Sequence, residues 1–169
     1  LSSLSKLHLI FLLLFFWLGL LAKLSRLKPQ HSLILRSYRM TEDSHIQLTK
    51  EAMSKAYVPY SKYPVGVLII TDKGSEYSGC NVENASYPLG NCAEASAIAS
   101  MVMGGEHKIN KIYVMTKNDE GGIPCGGCRQ RIREFSDAST EVIMCSTEGI
   151  KNRMHLSDLL PQSFGPEHL

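Results

Sequence analysis

The pattern of apolar and polar positions changes its period several times between residue 40 and the end of the chain. Apolar residues recur at helical spacing over 41–57, whereas 65–70 is a continuous apolar, β-rich run that is typical of a buried strand. Further segments of both kinds follow. The predicted elements are a strand over 76–82, a helix over 93–103, a strand over 111–115, a helix over 125–135, a strand over 140–145 and a short fifth strand over 154–156.

This alternation of helices and strands predicts an α/β fold whose sheet is covered by helices on both faces. The first two strands are joined by the short turn Asp72–Gly74, so they pair antiparallel and the sheet is mixed. We expect Thr41 or Ser44 to cap the first helix. Gly104 and Gly105 are expected to end the second helix.

Residues 1–39 do not fit this pattern. The uncharged, mostly apolar stretch 7–22 is 16 residues long, which is short of the ~20 residues that span a bilayer comfortably. Three interpretations stay open: upstream sequence translated from a start placed too early, with Met40 as the true start; a membrane anchor; or a signal peptide. We therefore divide the chain into a hydrophobic, basic N-terminal extension, 1–39, and a single domain, 40–169.

The net positive charge of the chain comes from its N-terminal extension. Six of the 18 Lys and Arg fall in residues 1–39, which leaves 12 against 16 Asp and Glu, a net charge of −4 for residues 40–169. An acidic domain argues against a surface that follows nucleic-acid phosphates. The five cysteines are an odd number without a regular spacing, so a disulfide framework is not expected and a reduced, cytoplasmic protein is favoured.

Two short motifs carry the candidate chemistry. Cys125 and Cys128 form a Cys-x-x-Cys pair, and positions three apart share one face of a helix. Together with Cys92 they offer three thiolate ligands for Zn²⁺ and leave a fourth position open for water, which is the catalytic pattern. Glu94 leaves the same turn as Cys92, so its carboxylate can accept a proton from that water and pass it on. The alternative is a closed zinc knuckle or a buried cysteine cluster.

The remaining cysteines, Cys80 and Cys145, lie at the ends of strand-like runs, where we expect them to act as small buried hydrophobes. Neither has the Cys-x-x-Cys spacing of a metal-binding pair. They are therefore not predicted to bind the metal.

At these residues the chain resembles the small cytidine deaminases of nucleoside salvage. The matching motifs are YSKYPVG, GCNVENASYPLGNCAE, PCGGCRQ and LLPQSFGP. Together they cover the chain over 40–169, whereas residues 1–39 have no counterpart. The resemblance implies a three-layer α/β/α sandwich with a mixed sheet of about five strands. It also implies one Zn²⁺ per chain and a homotetramer with shared active sites.

The resemblance further implies how the substrate is held. Asn81 and Glu83 would bind the ribose 3′-hydroxyl, since an amide and a carboxylate together offer a donor and several acceptors. The backbone of Ala93, together with Glu94, would contact the edge of the pyrimidine.

Three positions concern the base and the charge of the site. Tyr63 stands where the family usually has Phe beside the base, so its additional hydroxyl needs a partner. Phe164 would stack on the base in the site of a neighbouring subunit. Many members with three cysteines carry Arg directly after the catalytic Glu, where it offsets thiolate charge. Ala95 occupies that position here, so this compensation has to come from elsewhere.

We therefore predict a zinc-dependent hydrolase that deaminates cytidine and 2′-deoxycytidine to uridine and 2′-deoxyuridine with release of ammonia, in pyrimidine salvage. A deaminase of a related aminonucleoside and a zinc-stabilised, non-catalytic binding module remain as alternatives. A polynucleotide editor is disfavoured because residues 40–169 are acidic and lack an arginine–aromatic stripe. Expected partners are the nucleoside and further copies of the chain, without nucleic acid. We expect no membrane contact unless residues 7–22 are an anchor.

Overall fold

Five strands form one mixed sheet in the computed structural model, which describes residues 41–169. The helices are α1 (Glu42–Ser54), α2 (Ala93–Met103), α3 (Gly126–Glu134) and the short α4 (Leu156–Leu159). The strands are β1 (Gly66–Thr71), β2 (Glu76–Cys80), β3 (Ile109–Met115), β4 (Glu141–Ser146) and β5 (Gly149–His155). Short 3₁₀ turns follow at Tyr87–Leu89 and Pro166–His168. The predictions for residues 1–39 lie outside the described residues.

The strand order is β2-β1-β3-β4-β5, and the sheet is mixed because of a single parallel pair. β1 pairs antiparallel with both β2 and β3, β3 pairs parallel with β4, and β4 pairs antiparallel with β5. The parallel pair needs a crossover connection, and α3 provides it. The predicted hairpin and the mixed sheet are therefore confirmed.

Side chains of β1 alternate between two apolar cores, one on each face of the sheet. Val67 and Ile69 pack with residues of α2, α3 and α4. Leu68 and Ile70 pack on the opposite face, with Met53 of α1. Because a strand presents successive side chains to opposite faces, a strand that is apolar throughout has to be covered by helices on both sides. The predicted three-layer α/β/α architecture is confirmed.

Two glycines allow the helices to approach the sheet closely. A Cβ at Gly66 of β1 would lie 2.3 Å from the backbone nitrogen of Met53 in α1. A Cβ at Gly79 of β2 would lie 2.3 Å from the backbone nitrogen of Ala97 in α2. Only glycine fits at these two crossings, so Gly79 fixes the height of α2 above the sheet, and α2 carries part of the candidate site.

One strand prediction was wrong in its bounds, one helix was missed, and the capping prediction was correct only in the position of the cap. β5 has seven residues rather than the short segment predicted at 154–156. Its sequence GIKNRMH is mostly polar because the strand lies at the edge of the sheet, so the apolar alternation that marks a strand is weak. α4 was not predicted. Thr41 is the N-cap of α1, but its side chain makes no capping hydrogen bond, and Ser44 instead donates its hydroxyl to the Thr41 carbonyl.

Within residues 41–169, no helix is both long and apolar enough to cross a membrane.

Candidate active site

Three cysteine side chains converge where two helices begin. Cys92 immediately precedes α2 and Cys125 immediately precedes α3, so both are N-cap residues. Cys128 lies in the first turn of α3. The three Sγ atoms all lie within 4.8 Å of one another. Sulfurs bound at ~2.3 Å to a tetrahedral Zn²⁺ would lie about 3.8 Å apart, so a cluster of this size is compatible with the metal.

The cluster offers three protein ligands. In the part of the chain that the structure describes, no fourth Cys, His, Asp or Glu joins the group of sulfurs. Cys145 is buried on β4, in the core on the opposite face of the sheet, where its thiol donates to Ile143 O. A three-ligand arrangement matches the open, catalytic class of zinc site rather than the closed, structural class.

The protein environment affects the three thiols differently. Burial raises the pKa of Cys128 and of Cys92. The backbone N–H of Cys128 lowers the pKa of Cys125, because an N–H aimed at a sulfur at a helix start stabilises the thiolate. A bound divalent cation would reverse the effect of burial, since a coordinating thiol is deprotonated.

The Glu94 carboxylate is the buried acid of the site. Glu94 is the second residue of α2 and is only 4% exposed. Its negative charge is among the causes that raise the pKa of Cys128, after burial, so the carboxylate lies beside the thiol cluster. A buried carboxylate next to a metal-binding group is well placed to accept and donate protons.

A single cavity of about 530 Å³ connects this centre with most of the predicted substrate-binding residues. This volume suits a ligand of nucleoside size. The predicted site residues that line it are Tyr63, Asn81, Glu83, Cys92, Ala93, Glu94, Cys125 and Cys128. The sequence reasoning missed other lining residues, among them Thr116, Ile123 and Tyr87. These three carry no chemical signature in the sequence, and only the three-dimensional fold brings them to the cavity.

Asn81 and Glu83 are held by the loop that precedes β1. The Asn81 side chain accepts a hydrogen bond from the Val65 backbone N–H at 2.8 Å and donates one to the Tyr63 carbonyl at 2.9 Å. Glu83 accepts hydrogen bonds from backbone N–H groups of the same loop, the nearest at 2.9 Å, which belongs to Tyr60. Hydrogen bonds from this loop, foremost from the Ser61 side chain, lower the pKa of Glu83, which keeps it a carboxylate.

The Tyr63 hydroxyl has a partner. Asn118 Nδ2 donates to it at 3.2 Å from the loop between β3 and α3. The contact joins the loop before β1 to the loop between β3 and α3. Asn118 could not be predicted, because the sequence does not show which loops meet.

Phe164 is not part of the cavity of its own chain. Phe164 is 59% exposed, and its ring stacks on His168 at a centroid distance of 5.3 Å. Gln130 of α3 donates a hydrogen bond to the Phe164 carbonyl, and Arg133 of α3 donates one to the Ser163 hydroxyl. The backbone is thus fixed to α3 while the ring faces outwards.

Comparisons with known proteins agree with this geometry. The protein-family model described as "Cytidine and deoxycytidylate deaminase zinc-binding region" matches residues 40–145. The chain is 37% identical over 130 residues to a cytidine deaminase of Sporosarcina psychrophila, and the aligned region covers 77% of this chain and 96% of the relative. It is 38% identical over 125 residues to a cytidine deaminase of Halalkalibacterium halodurans, with 72% of this chain and 95% of that protein covered.

A solved structure gives the same result for the fold. The crystal structure of cytidine deaminase from Burkholderia pseudomallei superimposes with a TM-score of 0.70 at 38% identity and covers 74% of this chain and all of that one. The matched family region contains the three converging thiols and the buried carboxylate. On this evidence, the chain belongs to the cytidine deaminase family.

Proposed function

We propose that this protein catalyses the zinc-dependent, hydrolytic deamination of cytidine and 2′-deoxycytidine, and so serves pyrimidine salvage. The observation that carries the proposal is the convergence of Cys92, Cys125 and Cys128 with the buried Glu94 in one cavity of nucleoside size. The names of the relatives support the substrate class.

The metal fits the donor set of this chain. The three thiols would hold one Zn²⁺ per chain, and the sulfur separations stated above are compatible with tetrahedral coordination. When bound, zinc supplies the Lewis acidity that activates a water molecule for attack.

Glu94 would carry the protons of the reaction. Its carboxylate takes one proton from the attacking water and delivers it to the ring nitrogen N3, which makes C4 electrophilic. A C4–O bond forms. Glu94 then takes the second proton from the new C4 hydroxyl and delivers it to the exocyclic amino group, so that the C4–N bond breaks, ammonia leaves and the C4 carbonyl forms. Cytidine and water thus give uridine and ammonia. Burial of Glu94 excludes competing water from these transfers.

The sugar would be bound by Asn81 and Glu83. Both side chains keep free hydrogen-bonding capacity beside their loop contacts, because an amide has two N–H groups and a carboxylate has about four acceptor positions. Their contacts to the loop at Tyr60 and Tyr63 fix the orientation of both groups before a nucleoside arrives. Such prior fixation reduces the entropy that binding costs.

The base would lie between Tyr63 and groups near the metal, with the Ala93 backbone at the pyrimidine edge. Ala93 is fully buried at the start of α2 and lines the cavity. The Tyr63 ring is held by the Asn118 contact, which supports its use as a wall of the site.

We further propose a homotetramer in which Phe164 of one chain completes the site of another. Support comes from the outward-facing ring of Phe164 and from apolar side chains exposed beside the cavity, namely Tyr87 at 76% and Ile123 at 54%. Exposed apolar patches of this kind mark interaction surfaces. We assign the deaminase domain to residues 40–169 and place its activity in the cytoplasm, which its five free cysteines support.

Comparing substrates tests the proposal. Purified full-length protein should release ammonia from cytidine and 2′-deoxycytidine but should process free cytosine at least ~10⁴-fold less efficiently, because a site built to hydrogen-bond a sugar hydroxyl rejects compounds that lack it. Equal efficiency on cytosine would contradict the roles of Asn81 and Glu83. Stoichiometric zinc without turnover of either nucleoside would instead favour a binding module.

A further inference from the structure

One guanidinium group lies beside the thiol cluster. Arg131 Nη1 is 3.9 Å from Cys128 Sγ, within hydrogen-bonding distance of a sulfur acceptor. Arg131 follows Cys128 by three residues on α3, so the helix places both side chains on the same face. The cation therefore lies beside a sulfur of the cluster.

The other two arginines of α3 are occupied elsewhere. Arg129 donates to the carbonyls of Pro124 and Leu159, and Arg133 pairs with Glu167. Arg131 differs from both: among residues 41–169 no carbonyl accepts a hydrogen bond from its side chain, and no Asp or Glu lies at salt-bridge distance from it. Its charge is thus free to act on the sulfur.

The proposed metal site needs such a charge. Three thiolates around Zn²⁺ leave a net charge of −1, and the buried Glu94 carboxylate beside them adds another negative charge. Cys128 is fully buried, so solvent does little to screen its charge. Ala95, directly after Glu94, supplies no cation.

We propose that Arg131 is a positioning residue of the metal site: it donates a hydrogen bond to the Cys128 ligand and offsets the excess negative charge of the three thiolates, from α3 rather than from the position of Ala95 on α2. The inference rests on the proposed zinc site. It concerns how tightly the site holds zinc and how strongly the sulfurs donate to it.

Zinc affinity and a cobalt spectrum test this role without any turnover measurement. We would compare Arg131→Gln with Lys50→Gln, a control that removes one positive charge from an exposed position on α1, on the other face of the sheet. Competition with a chelator at neutral pH should show zinc binding about tenfold weaker in Arg131→Gln, since partners of metal ligands typically contribute 10- to 100-fold to affinity. Lys50→Gln should bind zinc as the parent does.

In the Co²⁺-substituted protein, the sulfur-to-cobalt charge-transfer band should move to longer wavelength in Arg131→Gln only. A thiolate that has lost a hydrogen bond releases charge to the metal more easily. Adding Ala95→Arg to Arg131→Gln should recover zinc affinity. Ala95 lies next to Glu94 in the chain and is only partly buried, so this position can accommodate a positively charged side chain. A double variant that binds zinc no better than Arg131→Gln would contradict the charge argument.

The outcomes separate this inference from the proposed function. A parent protein that binds no zinc would overturn the proposed zinc site itself. A parent that binds zinc, with Arg131→Gln equal to Lys50→Gln in affinity and spectrum, would overturn only the role of Arg131. If Arg131→Gln loses its helical circular dichroism, Arg131→Lys replaces it in the test. Zinc binding a few-fold weaker than in the parent, with a smaller shift of the cobalt band, would support the role of Arg131. Parental zinc affinity and a parental cobalt spectrum would refute it.

Discussion

Gly79 links the packing of the fold to the geometry of the proposed metal site, and Gly79→Ala should damage both. A Cβ at this position would lie 2.3 Å from Ala97 N and 2.7 Å from Ala93 O, whereas ordinary contacts begin near 3.4 Å. Both neighbours are backbone atoms of α2, so no side-chain rotation can relieve the clash. α2 would have to retreat from the sheet by about 1 Å.

The expected cost is about 2–3 kcal/mol in the free energy of unfolding, near the upper end of the usual range for overpacking. For a domain of this size, that lowers Tm by roughly 6–15 °C. The same shift moves Cys92 and Glu94 relative to α3. Metal–ligand distances tolerate only ~0.2 Å, so zinc affinity should fall at least tenfold as well. Thermal unfolding and chelator competition measure the two effects.

Gly66→Ala is the matched control. Its Cβ would meet the backbone of α1 at the same 2.3 Å, but on the face of the sheet opposite to α2. This variant should lose comparable stability and keep the zinc affinity of the parent. A Gly79→Ala protein as stable as the parent, or equal loss of zinc in both variants, would refute the argument that Gly79 sets the position of α2.

Further variants test the substrate contacts. Because the folded state depresses the pKa of Glu83 below its ordinary 4.5, the stabilisation it provides is present above pH 4.5 and is lost as pH falls through its folded value. The free energy of unfolding in urea should therefore differ most between Glu83→Gln and the parent near neutral pH. A difference of the same size in acid would contradict this. Tyr63→Phe should change KM less than about threefold, because the lost hydrogen bond to Asn118 is exposed. Tyr63→Ala should raise KM more than tenfold. Equal effects of the two variants on KM would contradict a contact between the Tyr63 ring and the substrate. Phe164→Ala should raise KM about tenfold with zinc content unchanged, and mixing inactive Glu94→Gln chains with Phe164-deleted chains should restore activity. Failure of proven hybrids to recover activity would contradict the shared site.

The sequence was most informative where one physical constraint decides the structure. β1 is apolar throughout, so it had to be buried on both faces. Cys125 and Cys128 are three residues apart, so the first turn of α3 had to bring them together. In both cases a local sequence pattern is compatible with only one structural arrangement.

Prediction failed where tertiary context selects the partner. β5 is polar because it lies at the edge of the sheet, and its strand conformation comes from pairing with β4 rather than from its own pattern. The contact of Asn118 with Tyr63 joins residues 55 positions apart in the chain. The contact of Arg131 with Cys128 is local, but it was missed because the charge of a surface helix is ordinarily exposed to solvent.

The role of Glu94 is the most direct test of the proposed function. Full-length parent protein and Glu94→Gln would be assayed for zinc content and for loss of cytidine absorbance. The parent should contain one zinc per chain and convert cytidine to uridine. Glu94→Gln should keep its zinc and its fold but lose at least ~10²–10⁴ in rate, since the carboxylate serves every proton transfer. A Glu94→Gln protein within tenfold of the parent, or a parent that deaminates cytidine without zinc, would contradict the account.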